Sequence, residues 1–280
     1  MSGTVVNTMS AFQELRMHLD HFLNDRLGIS KSVRLGSVRG NTQETSARRL
    51  NAIAQGMSSC ASYLEVGVAQ GITLRRIRVP KRWGVDPVPQ FDTDHVPRGV
   101  HFYAMDSDDF FRDAPVPTDF DLVFLDGLHQ WHQTYRDLLN ALNHAQPNCL
   151  VLIDDVVPDD AMSAHPDHEE ALRQKDEAGV TDGRWHGDVF KVLVAIRENH
   201  PELEFMLLEE PNSENDNAQA LLWRKDGVKI HYSISEREAE CPTYSQVSFD
   251  EVFGSTPTFR FERFLEAEGV SRGLRAAGHG

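Results

Sequence analysis

Two stretches of this 280-residue chain place acids where an acid is costly. In "LVLIDDVVPDD", residues 150–160, an apolar run ends on the adjacent carboxylates of Asp154 and Asp155. In "FDLVFLDGLHQWHQTYRDL", residues 120–138, a similar run ends on Asp126, with His129 and His132 close behind. Like charges at the end of a core strand repel one another and lose hydration, so something must compensate them. If the three carboxylates meet, they suit a hard divalent cation, Mg²⁺ by default, with water or substrate oxygens completing its shell. His129 is then placed to take a proton from an attacking hydroxyl or to join the ligands. Plainer roles stand beside these. Asp155 could cap the following turn while Asp154 alone faces the site, and His129 could be a surface or capping histidine, one of 13 in the chain.

A third stretch, "YLEVGVAQGITL" at 63–74, sets Glu65 inside an apolar strand and follows it with Gly67 and Gly71 at a strand-to-helix turn. Glycines there let a ligand approach the backbone, and the helix start offers free N–H groups. Gln70, in the same turn, is a candidate contact for the amino-acid end of a cofactor. Twenty-one residues after Glu65, "WGVDP" ends the next strand on Asp86, where an acid can accept hydrogen bonds from both ribose hydroxyls. Either glycine alone is weak. The joint pattern of strand, Glu65, Gly67, Gly71, helix, strand and Asp86 indicates a nucleoside-containing cofactor.

The elements that must position these residues follow from periodicity. Strands are expected at 62–68, 82–88, 100–105, 121–127, 149–155, 204–210 and 218–225, and helices at 71–78, 131–144 and 187–199. Apolar strands separated by helices imply an α/β, Rossmann-like, doubly wound sheet of seven mostly parallel strands. The last two runs lack a helix between them and should form a hairpin that adds one antiparallel strand at an edge. Two N-terminal helices, at 9–27 and 43–57, precede this core and are separated by a Gly- and Ser-punctuated linker. The organisation expected is therefore an N-terminal helical segment (1–58), a cofactor-binding domain (59–227) with a long acidic, lid-like loop at 157–185, and a C-terminal extension (228–280). In "RWHGDVF", Asp188 should stabilise the start of the helix that follows, and Trp185 and His186 are candidates to border an acceptor pocket.

Composition narrows the partners. A net charge of −15 argues against a nucleic-acid backbone, and no apolar run approaches a membrane span. Cys60, Cys149 and Cys241 are far apart with no CxxC spacing, which fits reduced thiols in a cytoplasmic protein. The aromatic tail and the N-terminal helices leave a homo-oligomer open.

With these residues in view, the chain resembles the class I S-adenosylmethionine-dependent methyltransferases over roughly residues 60–225. "LEVGVAQG" is similar to their first motif in its E-x-G-x-x-x-G form, and Asp86 to the acid that holds their ribose. "YAMDSDDFF" resembles their adenine-side segment, which implies that Met105, Asp106 and Ser107 flank the base. If the strand order is also theirs, the first, fourth and fifth strands are neighbours and Asp126, Asp154 and Asp155 converge beside the cofactor. There the chain is similar to the metal-dependent O-methyltransferases that act on sugar hydroxyls of natural products, although Val156 follows the pair where some members carry an aromatic residue. The resemblance implies methyl transfer from S-adenosylmethionine to a small-molecule hydroxyl, with Asp126, Asp154 and Asp155 holding Mg²⁺ and His129 and Asp154 taking part in the chemistry. Two alternatives share the fold: an NAD-dependent oxidoreductase, disfavoured because Val66, Val68 and Ala69 break G-x-G-x-x-G, and a non-catalytic nucleoside-binding protein.

Overall fold

The computed structural model describes residues 42–57, 59–209, 217–233 and 258–260. The expected helix at 9–27, Cys241 and most of the C-terminal extension lie outside the described residues.

Helix α1 (Thr42–Gly56) precedes strand β1 (Ser62–Val66), followed by α2 (Ile72–Arg76), β2 (Lys81–Val85), β3 (Val100–Tyr103), α3 (Ser107–Asp113) and β4 (Phe120–Leu125). Then come α4 (Trp131–Asn143), β5 (Ala145–Ile153), α5 (His168–Glu177), α6 (Phe190–Asn199), β6 (Leu203–Glu209), β7 (Gln219–Arg224) and β8 (Thr258–Arg260). All seven expected strands form one sheet, in the order β3-β2-β1-β4-β5-β7-β6-β8. The three-residue β8 was not anticipated; it pairs parallel with β6. Strand β7 is antiparallel to both β5 and β6 and is inserted between them. The other pairings are parallel.

Period-2 alternation divides the core between the two faces of the sheet. Leu64, Val66, Val123, Leu125, Val151 and Ile153 pack with Leu138, Leu142, Val192, Leu193 and Ile196 of α4 and α6. Tyr63, Leu122, Phe124, Leu150 and Leu152 pack on the opposite face with Leu50 of α1 and Leu74 of α2. Covering both faces explains why these strands read as continuous apolar runs rather than alternating ones.

Two helices, α3 and α5, fall outside those that periodicity predicts. The segment at 157–185 is thus not a bare loop. Its helix starts at Asp167, whose side chain accepts the N–H of Glu170 at 2.9 Å, and is braced by the buried Lys175, which bonds Asp182 and the Arg184 carbonyl.

Register does the work of assembling a site. Val66, Leu125 and Ile153 are cross-strand partners, so β1, β4 and β5 end level with one another, and Ile153 faces Ala220 of β7. The order reverses between β1 and β4, the switch point at which open α/β sheets bind ligands.

Candidate active site

A cavity of about 790 Å³ runs along this carboxyl edge. Glu65, Gly67, Asp86, Asp106, Ser107, Asp126, Asp154, Asp155 and His129 all line it, as do Trp185 and His186. Gln70 does not: its side chain is exposed, and the turn presents Gly67, Val68 and Ala69 to the cavity instead. Gly71 sits at the start of α2 with φ +70, packed on the Phe91 ring rather than lining the cavity. Met105 packs against the core.

The glycine turn is tight because two backbones cross there. Gly67 has φ +83, and a Cβ on it would lie 1.9 Å from the Asp126 carbonyl oxygen. Asp86 holds the turn from the next strand: its Oδ2 accepts the N–H groups of Val68 and Ala69 at 2.9 and 2.7 Å. Glu65 is 1% exposed and accepts the Tyr63 hydroxyl at 2.6 Å. Burial, with the Asp126 and Asp86 charges adding to it, pushes Glu65 up to about 8 despite that bond. Asp106 caps α3 by accepting the Asp109 N–H at 3.1 Å.

At the β4 and β5 ends, His129 Nε2 lies 3.0 Å from Asp155 Oδ2 and 3.6 Å from Asp126 Oδ1. One donor atom from each of Asp126, His129 and Asp155 falls within 4.8 Å of the others, close enough to share a metal ion. Burial alone would lower the imidazole, but the Asp155 and Asp126 carboxylates outweigh it and hold His129 up at about 10. Burial raises both Asp126 and Asp155 as well, Asp154 adding to the first, so the cluster as a whole is short of positive charge.

Asp154 has a different place from the one its spacing suggests. Its Oδ1 accepts the Asp155 N–H at 2.9 Å and Asn217 Nδ2 at 2.8 Å, and its Oδ2 accepts Gln219 Nε2 at 3.0 Å. Both its oxygens accept hydrogen bonds, and the grouping of side-chain atoms within 4.8 Å of one another comprises Asp126, His129 and Asp155. Burial and the neighbouring Asp155 raise Asp154 to about 7. Gln219 is itself held by Ser46 Oγ at 2.8 Å and by Arg49 Nη1 at 2.9 Å, both from α1. Asn217 also bonds Asp155 Oδ1 at 2.8 Å. None of Ser46, Arg49, Asn217 or Gln219 was singled out by sequence. The one available signal was Gln219, a polar residue opening the apolar run of β7.

The strip Trp185–Asp188 lies over the His129 turn. Trp185 stacks on His129 at 4.9 Å and on His168 of α5 at 4.6 Å, and its carbonyl oxygen is 3.2 Å from His129 Nδ1. A Cβ on Gly187 would lie 1.7 Å from the His129 carbonyl oxygen. Asp188 stabilises a helix start, but that of α4: its Oδ1 accepts the Trp131 N–H at 2.9 Å while Oδ2 pairs with Lys191. His186 is buried, which pushes it down to about 4 and keeps it neutral. His132 is exposed and stacks on Trp131. Asp159 pairs with Arg184 and Asp160 caps Ser163, so both serve the loop.

Among the described residues, three non-glycine residues have positive φ: Ala69 (45), His129 (50) and Asp155 (60), all on the cavity wall. Each costs of order 1–3 kcal/mol, a strain that concentrates where geometry serves a ligand.

Residues 64–156 match a family model described as a methyltransferase domain. That stretch is therefore similar to a methyltransferase domain. Structures similar to this chain include the O-methyltransferase TomG from Streptomyces achromogenes, involved in tomaymycin synthesis and solved with S-adenosylmethionine; it is 12% identical over 79% of this chain and 92% of that one, TM-score 0.45. An O-methyltransferase from Bacillus cereus in complex with SAH is 14% identical over 75% and 100%, TM-score 0.44. Cofactor-bound Rv0187 from MTB is 14% identical over 79% and 92%, TM-score 0.46. No curated protein sequence matches the chain. Among the described residues, no helix is long and apolar enough to cross a membrane.

Proposed function

We propose that the protein methylates a hydroxyl oxygen of a small molecule, with a divalent cation held by Asp126, Asp155 and His129 or by the two aspartates alone. The observation that carries this reading is His129 set between the carboxylates of half-buried Asp126 and buried Asp155 on the cavity wall. Bound S-adenosylmethionine supplies a methyl already activated on sulfonium, and a cation would polarise the acceptor hydroxyl and fix its approach.

The donor set fits such an ion: carboxylate oxygens with one imidazole nitrogen, beside Asn217, whose buried Oδ1 has no hydrogen-bond partner. The chain's own residues do the rest. Glu65 is a buried acid in the cofactor end that keeps its proton near neutral pH, and Asp86 orders the glycine turn. Where the two aspartates alone hold the cation, His129 is the base that takes the hydroxyl proton; its one free nitrogen cannot serve as ligand and base at once. The Trp185 carbonyl, as acceptor for Nδ1–H, fixes the tautomer that leaves Nε2 free to do so. An imidazole held protonated by two carboxylates is a poor base; a cation held by those carboxylates would offset their charge and lower the imidazole toward its ordinary range. Trp185, with the α5 segment behind it, excludes water from this end.

The test is titration calorimetry with Mn²⁺ and Mg²⁺ on protein saturated with S-adenosylhomocysteine, for wild type and Asp155→Asn, alongside release of S-adenosylhomocysteine from a panel of hydroxylated small molecules. Cation binding in wild type and its loss in the variant are expected. A wild type that binds neither ion removes the metal from the reading, and turnover of amines but not hydroxyls removes O-methylation.

A further inference from the structure

The cavity wall beside His129 carries an apolar lip that the transfer step does not require. Among the described residues, Leu128 is the one large hydrophobic side chain that is both exposed, at 56%, and part of the cavity lining. The turn after β4 produces this exposure: His129, at φ 50, directs its ring to Asp155, and Leu128 before it is left open to solvent. A single exposed leucine on an open surface needs no explanation. One set between Gly127 and His129, in the wall that carries the reactive cluster, is covered by whatever extends from that cluster toward solvent. Trp185 continues the lip. Its ring stacks on His129 and His168 and its Nε1–H is donated to the His165 carbonyl at 2.7 Å, so what it still offers the cavity is hydrocarbon.

Charge selects in the same direction. The residues lining the cavity include seven carboxylic acids and one lysine or arginine, Arg184. That guanidinium is already committed: it pairs with Asp159 at 3.1 Å and lies 3.9 Å from Asp182. A phosphate or carboxylate carried on the acceptor, away from the aspartate cluster, would meet acids and no uncommitted cation.

We propose that the acceptor is an uncharged amphipathic molecule, with its hydroxyl at Asp126, His129 and Asp155 and an aliphatic or aromatic body lying across Leu128 and the Trp185 edge. Leu128 is then a specificity-determining residue. Covering its side chain and the facing carbons of the acceptor stabilises the complex, whereas an anionic substituent in the same place loses hydration to acidic walls. This rests on the methyltransferase reading of the cavity and names the acceptor class for it.

Three probes share one head group: glycerol, 1-O-octylglycerol below its micelle concentration, and glycerol 3-phosphate. Their Kd values are compared by titration calorimetry on the full chain saturated with S-adenosylhomocysteine in the presence of Mg²⁺. Wild type should bind octylglycerol at least about tenfold more tightly than glycerol, the effect of burying two methylenes, and glycerol 3-phosphate no more tightly than glycerol. Leu128→Ser should bring the octyl preference to within about threefold. Val228→Ser, which removes a similarly exposed apolar side chain outside the cavity, should leave the preference intact. Octylglycerol binding no better than glycerol, tightest binding by the phosphate, or an unchanged preference in Leu128→Ser overturns the proposal. A wild type that fails to bind S-adenosylhomocysteine overturns it together with the cofactor reading, which separates the two failures.

Discussion

His129 and Asp155 face each other across 3.0 Å, and both hold left-handed backbone conformations, φ 50 and 60. The strain that aims each side chain at the other is sustained by neighbours that cannot easily move: Gly187 pressed on the His129 carbonyl, and Asn217 and Asp154 bonded to Asp155.

The pair titrates with folding. His129 sits at about 10 in the folded protein against 6.5 for an ordinary imidazole, so its stabilisation is full below pH 6.5 and lost as pH rises through 10. Glu65, raised from 4.5 to about 8, and Asp154, raised from 3.8 to about 7, bind more protons folded than unfolded and act in the same direction. The Tm of the cation-free protein should fall steadily between pH 6.5 and 10. In His129→Ala the fall should be largely over by pH 8; an unchanged profile above pH 8 contradicts the pairing.

Gly67→Ala and Gly187→Ala each drive a methyl into a carbonyl oxygen, 1.9 and 1.7 Å away, at positive φ. Neither backbone can yield cheaply, so each should destabilise the fold by about 3 kcal/mol. Gly67→Ala should in addition abolish S-adenosylhomocysteine binding in calorimetry, because the Asp126 turn that it displaces forms the cavity wall.

The two adjacent aspartates should separate in mutagenesis. Asp154→Ala leaves the amides of Asn217 and Gln219 without their carboxylate and should cost about 1–3 kcal/mol in chemical denaturation. Asp155→Asn should cost less stability and more divalent-cation affinity. Equal effects on both measurements would place the two residues in the same role.

Glu65 predicts a pH dependence in the cofactor itself. A sulfonium cation favours the ionised carboxylate, so S-adenosylmethionine affinity should rise on the order of tenfold as pH is raised toward 8, where Glu65 loses its proton. Glu65→Gln should flatten that rise, and S-adenosylhomocysteine, which lacks the cation, should show less of it. A rise that persists in Glu65→Gln assigns the proton elsewhere.

The strands, their parallel order and the convergence of Asp126 with the Asp154–Asp155 pair were legible because buried parallel strands read as apolar runs and their ends are marked by acids. The division of labour within that pair was not, since it depends on Asn217 and Gln219, which arrive from an antiparallel strand more than 60 residues away. Helix α5 escaped notice for a local reason. It buries only Ala171 and Lys175, so it has no apolar stripe, and its Asp167 to Glu170 capping signal stands alone. Asp137 was not singled out, because one sequence cannot tell which face of α4 lines the cavity.

Residues 64–156 carry the recognisable methyltransferase signature, and they include Asp126, His129 and Asp155. They do not include Ser46, Arg49, Asn217 or Gln219, which fasten Asp154 from both flanks of the chain. A gene fragment trimmed to the signature would encode the reactive side chains without the scaffolding that aims them. The inheritable unit of this site is therefore wider than its recognisable one, and exchange of either flank between relatives should retune the aspartate edge while leaving Asp126, His129 and Asp155 unchanged.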